Sequence, residues 1–138
     1  MERKNEMDRE WEQVREFQRL FGHPYRDTPQ QMEPERAKAR YQWMLEEIDE
    51  FLEAEDLVEQ ADAMIDVMYF ALGTLVEMGV KPDALFDIVH QANMSKLWPD
   101  GRPHYAPDGK TVKPAGWEDP HGKLEEAIRI QAERGGER

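Results

Sequence analysis

The sequence predicts an all-α fold: an antiparallel bundle of four to five helices with a turn-rich C-terminal segment. Two observations carry this. From about Asp8 to Leu97, apolar residues recur mostly at three- and four-residue steps, the spacing of one helical face. No strand-rich region exists anywhere in the chain, which leaves helix-on-helix packing as the architecture.

The first helix spans about Asp8 to Phe21, with Trp11, Val14, Phe17, Leu20 and Phe21 on one face, and Gly22, Pro24 and Pro29 end it. The second runs from about Pro34, a residue suited to a first turn, to Glu55. Asp56 caps a third helix, with Glu59 three residues on as an approximate capping box. That helix reaches Met78, and Gly79 fits its C-terminal position. A linker this short between the second and third helices predicts a tight antiparallel pair. Pro82 or Asp83 starts a fourth helix through Ala84, Leu85, Ile88, Val89 and Ala92 to about Leu97. Residues 98–120 carry the same turn signal twice, Pro99-Asp100-Gly101 and Pro107-Asp108-Gly109, so a short hairpin or an ordered loop is expected. A polar tail helix, residues 121–138, frays into Gly135-Gly136.

The 138 residues fit one domain with one modest core. Charged residues make up 35% of the chain and the formal net charge is −12. That balance argues against a nucleic-acid partner and against binding anionic membrane surfaces; it suits solubility or the concentration of carboxylates around cations. There is no Cys, which excludes disulfides, thiolate catalysis and Cys-based zinc sites. No apolar run approaches a membrane span and the N-terminus is charged, so a cytoplasmic location is expected.

The informative chemistry is carboxylate chemistry. Glu46, Glu47 and Glu50 lie within one turn of the second helix. At about 100° per residue, Glu47 and Glu50 stand about 60° apart and Glu46 and Glu50 about 40° apart. Taken alone, such a cluster is usually a solvated face. Asp62 and Asp66 are different: they share a face, four residues apart, in a helix from Ala61 to Met78 that is mostly apolar and expected to be central and buried. Carboxylates there are costly unless paired, yet no Lys or Arg occurs between Arg40 and Lys81. A divalent cation is the economical partner, and oxygen-only ligands select Mg²⁺ or Mn²⁺ over Zn²⁺. Mg²⁺ held this way keeps waters and takes substrate phosphates as ligands, which points to phosphate chemistry. Glu53, Glu55, Asp56 and Glu59 read as surface charges or caps, with Glu59 an open alternative because it lies three residues before Asp62.

Glu46-Glu47-x-x-Glu50 followed by Asp62-x-x-x-Asp66 resembles the MazG-like all-α nucleoside triphosphate pyrophosphohydrolases, a superfamily that includes phosphoribosyl-ATP pyrophosphohydrolases and dimeric dUTPases. Glu16-Phe17 with Phe21-Gly22-His23-Pro24, Asp66-Val67-Met68-Tyr69 with Ala71-Leu72-Gly73-Thr74, and Asn93-Met94-Ser95-Lys96 are similar to segments of its small stand-alone members, over roughly residues 14–118. One departure is that the usual second motif places Glu and Asp three residues apart, whereas Ala63 stands three before Asp66. Glu59 and Asp62 keep that spacing, so whether Glu59 replaces Asp66 stays open. The resemblance implies a Mg²⁺-dependent enzyme that converts a (deoxy)nucleoside triphosphate to the monophosphate and pyrophosphate by attack of water at the α-phosphorus. It implies Glu47, Glu50, Asp62 and Asp66 as metal ligands and Glu46 as the group that positions or deprotonates the water. Lys96 is then a phosphate contact and Asn93 a contact to phosphate, sugar or base. Arg102, Lys110 and Lys113 are candidates to close over the phosphates; Lys near a helix end is also favoured for ordinary reasons. Trp98 and Trp117 are candidates to stack on a base, or plain packing. Candidate substrates are dUTP and dGTP or GTP, with phosphoribosyl-ATP hydrolysis and a non-catalytic acidic binding module as alternatives. A homodimer or homotetramer is expected.

Overall fold

A computed structural model describes residues 6–135; the predicted fraying at Gly136 lies outside them. The order is α1 (Glu6–Leu20), α2 (Pro34–Glu53), α3 (Leu57–Met78), α4 (Asp83–Met94), β1 (His104–Tyr105), β2 (Thr111–Val112) and α5 (His121–Gly135). The described residues are all-α but for one two-stranded antiparallel hairpin, with His104 opposite Val112 and Tyr105 opposite Thr111.

Local sequence sets the boundaries. Pro34 opens α2. The Asp56 side chain caps α3 by accepting from the Glu59 N–H at 2.8 Å, and the Glu59 carboxylate turns back to accept the Glu55 N–H, also at 2.8 Å. Gly79, at φ 71°, ends α3 with hydrogen bonds from Gly79 N–H to the Val76 carbonyl and from Val80 N–H to the Leu75 carbonyl. α4 ends at Met94 rather than Leu97. Beyond it the Lys96 and Leu97 N–H groups bond three residues back instead of four, and Pro99 disfavours helical backbone at Trp98. The repeated Pro-Asp-Gly signal gives a repeated turn. Gly101 N–H reaches the Trp98 carbonyl and Gly109 N–H the Ala106 carbonyl, while Asp100 and Asp108 each accept from the backbone N–H two residues on.

α2 and α3 form the antiparallel pair. Contacts descend one helix as they climb the other: Arg36 and Arg40 meet Glu77, Trp43 meets Phe70, and Glu47 meets Asp66. α1 packs on the C-terminal half of α3, where Trp11, Val14 and Val76 form the buried core with Leu72 and Leu75 against it. The chain turns through 119° between α3 and α4. α4 then packs on α1 and α5, and neither it nor the hairpin packs on α2 or α3. No single helix among the described residues is long and apolar enough to cross a membrane.

The sequence predicts a buried central helix, but α3 is buried mainly over its C-terminal half: Ala63 is buried, while Leu57, Val58, Met64, Ile65 and Met68 are exposed, as is Asp62. The apolar face exists as the periodicity predicts, but within one chain α1 stops at Leu20 and covers only the far half of it.

Candidate active site

The open half of the α2–α3 pair holds the predicted carboxylates. A cavity of about 330 Å³ near the α2–α3 turn is lined by Glu47, Glu50, Glu53, Ala54, Glu59, Asp62 and Ala63. Asp66 stands one turn further along α3, close enough that its charge bears on Glu47. Glu47, Glu50, Asp62 and Asp66 are thus brought together from two helices. Glu53 and Glu59 join them at the cavity, and Glu59 is at the same time committed to the α3 cap. Glu46 is exposed and is not part of the cavity lining.

The electrostatics are those of crowded like charges. Glu47 is pushed up to about 7, first by a hydrogen bond with the Glu50 carboxyl, then by burial and by repulsion from Glu50, Asp66 and Asp62. Asp66 is raised by burial and by Asp62 and Glu50, against a hydrogen bond with Glu47 that favours its charged form. Among the described residues, none of the groups acting on Glu47 or Asp66 is a Lys or Arg. The Glu47 Oε2 atom is buried and no hydrogen-bond donor reaches it. Among the described residues, no three carboxylates or histidines already stand in a metal-holding arrangement. The donor set itself, hard oxygens without a protein cation and with one buried oxygen orphaned, fits Mg²⁺ or Mn²⁺.

The cations have a different assignment. Glu77, buried at the closed end of the same helix pair, receives the guanidinium groups of Arg36 (3.0 and 2.8 Å) and Arg40. Burial pushes the Glu77 carboxyl up, but the hydrogen bonds from Arg36 and Arg40 outweigh it and hold the group below its ordinary range. Arg40 also donates to Gln18 at 3.0 Å, and Gln18 donates to the Pro24 carbonyl at 2.7 Å. Gly73 makes room for this junction, since a Cβ there would stand 2.9 Å from Arg40 Nη1 and inside contact distance of Gln18 Oε1. Sequence reasoning missed Glu77; the signal was a carboxylate in an apolar helix that shares its helical pair with Arg36 and Arg40.

The candidate substrate contacts lie elsewhere in the single chain. Asn93 is exposed in the last turn of α4. The ammonium groups of Lys96 and Lys113 stand 5.5 and 4.8 Å from the centre of the Trp117 ring, while Lys110 is exposed on the hairpin. The indole N–H groups of Trp117 and Trp98 are bonded to the Ala92 and Val112 carbonyls, and His104 stacks on Trp98 at 3.9 Å. A larger cavity of about 710 Å³ beside them is lined partly by Asp87, Glu118 and Asp119 against one Lys123, a charge balance that repels a triphosphate.

The phosphoribosyl-ATP pyrophosphohydrolase family model matches residues 14–93, which include every carboxylate of the cavity. Among solved structures, a protein from Exiguobacterium sp. 255-15, provisionally named an NTP pyrophosphohydrolase, is 29% identical with a TM-score of 0.51; the match covers 91% of this chain and 96% of that one. No curated protein matches the chain. With 14–93 spanning more than half of its length, the chain belongs to the phosphoribosyl-ATP pyrophosphohydrolase family, an all-α group of pyrophosphohydrolase enzymes.

Proposed function

We propose that the chain hydrolyses a (deoxy)nucleoside triphosphate to the monophosphate and pyrophosphate, with dUTP and dGTP or GTP as candidate substrates. The observation that supports this is the four-carboxylate cluster Glu47, Glu50, Asp62 and Asp66, in which no described Lys or Arg acts on Glu47 or Asp66. These four would hold Mg²⁺, with Mn²⁺ as substitute; the ion supplies positive charge that offsets the phosphates and polarises the phosphoryl oxygens. Attack of a water oxygen forms a bond to the α-phosphorus and breaks the bridge to the β-phosphorus, so pyrophosphate leaves with the bond electrons. The water proton passes to a carboxylate within hydrogen-bond reach. Glu46 is the candidate from the sequence, and Glu47, which lines the cavity, is the competitor. Asn93, Lys96, Lys110 and Lys113 are proposed to meet the substrate from a second copy of the chain, because the single chain holds them apart from the carboxylates. A homo-oligomer also accounts for the exposed Ile48, Phe51, Leu52, Leu57 and Val58, an apolar surface larger than isolated exposed residues explain.

The second substrate reading is phosphoribosyl-ATP, favoured by the name of the matching family. The triphosphate reading draws on the structural relative, whose match extends past residue 93 into the hairpin segment. Pyrophosphate release from a panel of nucleoside triphosphates and phosphoribosyl-ATP, with Mg²⁺ and after exhaustive chelation, separates the two. Turnover of phosphoribosyl-ATP alone would overturn the triphosphate reading, and full activity after chelation would overturn the metal. Water labelled with heavy oxygen should deliver its label to the monophosphate; label in pyrophosphate would mean attack at the β-phosphorus.

A further inference from the structure

α1 ends in an aromatic cluster that the core does not use. Phe17 stacks on Phe21 with ring centres 4.6 Å apart and on His23 at 5.8 Å, and meets Tyr69 edge-on at 5.7 Å. The chain is folded back to build it. Gly22, at φ 76°, is left-handed, and the His23 N–H returns to the Gln18 carbonyl at 2.7 Å, which brings the imidazole over Phe17. Phe21 is 67% exposed and Phe17 37%, although the buried core begins one turn away at Val14.

The position matters. Tyr69 follows Asp66 by three residues on α3, so the two lie on adjoining parts of one helical face, less than one turn apart. Gly73 marks the closed end of that face, where Gln18 and Arg40 meet above it. Phe17 reaches α3 at Tyr69, and Asp66, three residues before it, reaches α2 at Glu47. In a nucleotide one sugar separates the base from the α-phosphate, a span on the order of one to two helical turns of about 5.4 Å.

We infer that Phe21, backed by Phe17 and His23, is the platform on which the substrate's nucleobase stacks while the carboxylates of α2 and α3 take the phosphates. This rests on the proposed triphosphate hydrolysis and names the residues that hold the base. Stacking on an aromatic face serves purines and pyrimidines alike.

The test compares wild type with Phe21→Leu, which keeps apolar bulk without the ring, and with Phe21→Trp, which restores a stacking face. With the triphosphate that wild type turns over best, Phe21→Leu should raise KM about tenfold with kcat within twofold, and Phe21→Trp should return KM to within threefold of wild type. The affinity for the product monophosphate, measured by calorimetry, should fall by the same factor in Phe21→Leu, while inhibition by pyrophosphate, which has no base, stays unchanged. An unchanged KM, or an equal loss of monophosphate and pyrophosphate binding with a fall in particle mass by light scattering, would overturn the platform and make the cluster a subunit contact. If wild type releases no pyrophosphate from any triphosphate, the proposed function fails by itself; monophosphate calorimetry still decides the platform.

Discussion

Replacing Gly73 by Ala sets two effects against each other. In a helix interior the change should stabilise by about 1 kcal/mol through backbone propensity. The structure opposes this. The added methyl would stand 2.9 Å from Arg40 Nη1 and closer still to Gln18 Oε1. Neither side chain is free to swing away: Gln18 is 3% exposed and tied to the Pro24 carbonyl, and Arg40 is 5% exposed and tied to Glu77 and Gln18. Overpacking of this kind costs about 1–3 kcal/mol, and a broken hydrogen bond that leaves a buried polar group unpaired costs about 1–3 kcal/mol more. The net is a destabilisation of about 1–5 kcal/mol, or a fall in Tm of roughly 4–20 °C for a chain of this size. Thermal and urea unfolding at one fixed protein concentration measure it. The same change in a Gln18→Ala background, where the nearest obstacle is gone, should cost less. A Gly73→Ala protein as stable as wild type, or an identical cost in both backgrounds, would refute the packing account.

Three other perturbations probe the same helix pair. Glu50→Gln and Asp66→Asn should each lower turnover by more than about a hundredfold, beyond what residues that merely support a ligand give, with the helical circular dichroism unchanged; near-wild-type rates in both would remove them from the site. In the metal-free protein, Glu47 is held near 7 against an ordinary value of 4.5, so the folded chain keeps a proton that the unfolded chain loses. Stability should therefore fall as pH rises from about 4.5 to about 7, and Glu47→Gln should flatten that slope in thermal melts; an equal slope in the variant would contradict the coupling. Glu77→Gln should destabilise the fold by about 3 kcal/mol, because it leaves the buried Arg40 guanidinium without its counter-charge, and denaturant midpoints would expose a smaller cost.

What could be read from the sequence follows the range of the forces involved. Helix starts and stops depend on residues within four positions, so Pro34, Asp56 with Glu59, and Gly79 announced their roles, as did the two Pro-Asp-Gly turns. The same holds for the facing of Glu47 and Glu50 on α2 and of Asp62 and Asp66 on α3, because helical pitch is local. Glu77 was legible only as a carboxylate in an apolar helix; its partners Arg36 and Arg40 lie 41 and 37 residues away, and only the antiparallel register brings them to it. The exposure of Asp62 was not legible, since it depends on where α1 stops relative to α3 rather than on the composition of α3. The separation of Asn93, Lys96, Lys110 and Lys113 from the carboxylates is set by the 119° turn after Met78, and no periodicity encodes that angle.

The α2–α3 pair carries buried or half-buried carboxylates at both ends, and the two ends treat them in opposite ways. At the closed end, two arginines from α2 bind one glutamate from α3, a third helix covers the junction through Gln18, and Gly73 is kept small so that the groups fit. The negative charge there is neutralised and the group titrates below its ordinary range, as a structural ion pair should. At the open end, four carboxylates meet with no guanidinium or ammonium among the groups acting on Glu47 and Asp66, and both of those titrate above their ordinary range. Uncompensated repulsion between such groups lowers the stability of the metal-free fold. Arg36 and Arg40 sit on α2 only two to three turns from Glu47, so basic side chains are compatible with this helix and its partner. Under the proposed function, an end where none of the described arginines or lysines acts on Glu47 or Asp66 would take a positive charge that is not the chain's own. The proposed triphosphate is itself strongly anionic and could not fill that role, so on this proposal the cation would come with it or before it. Binding of Mg²⁺ by the nucleotide-free protein, read by calorimetry and lost in Glu50→Gln, is the expected result. Absence of any metal affinity without nucleotide would mean that the ion arrives only as its complex with the phosphates.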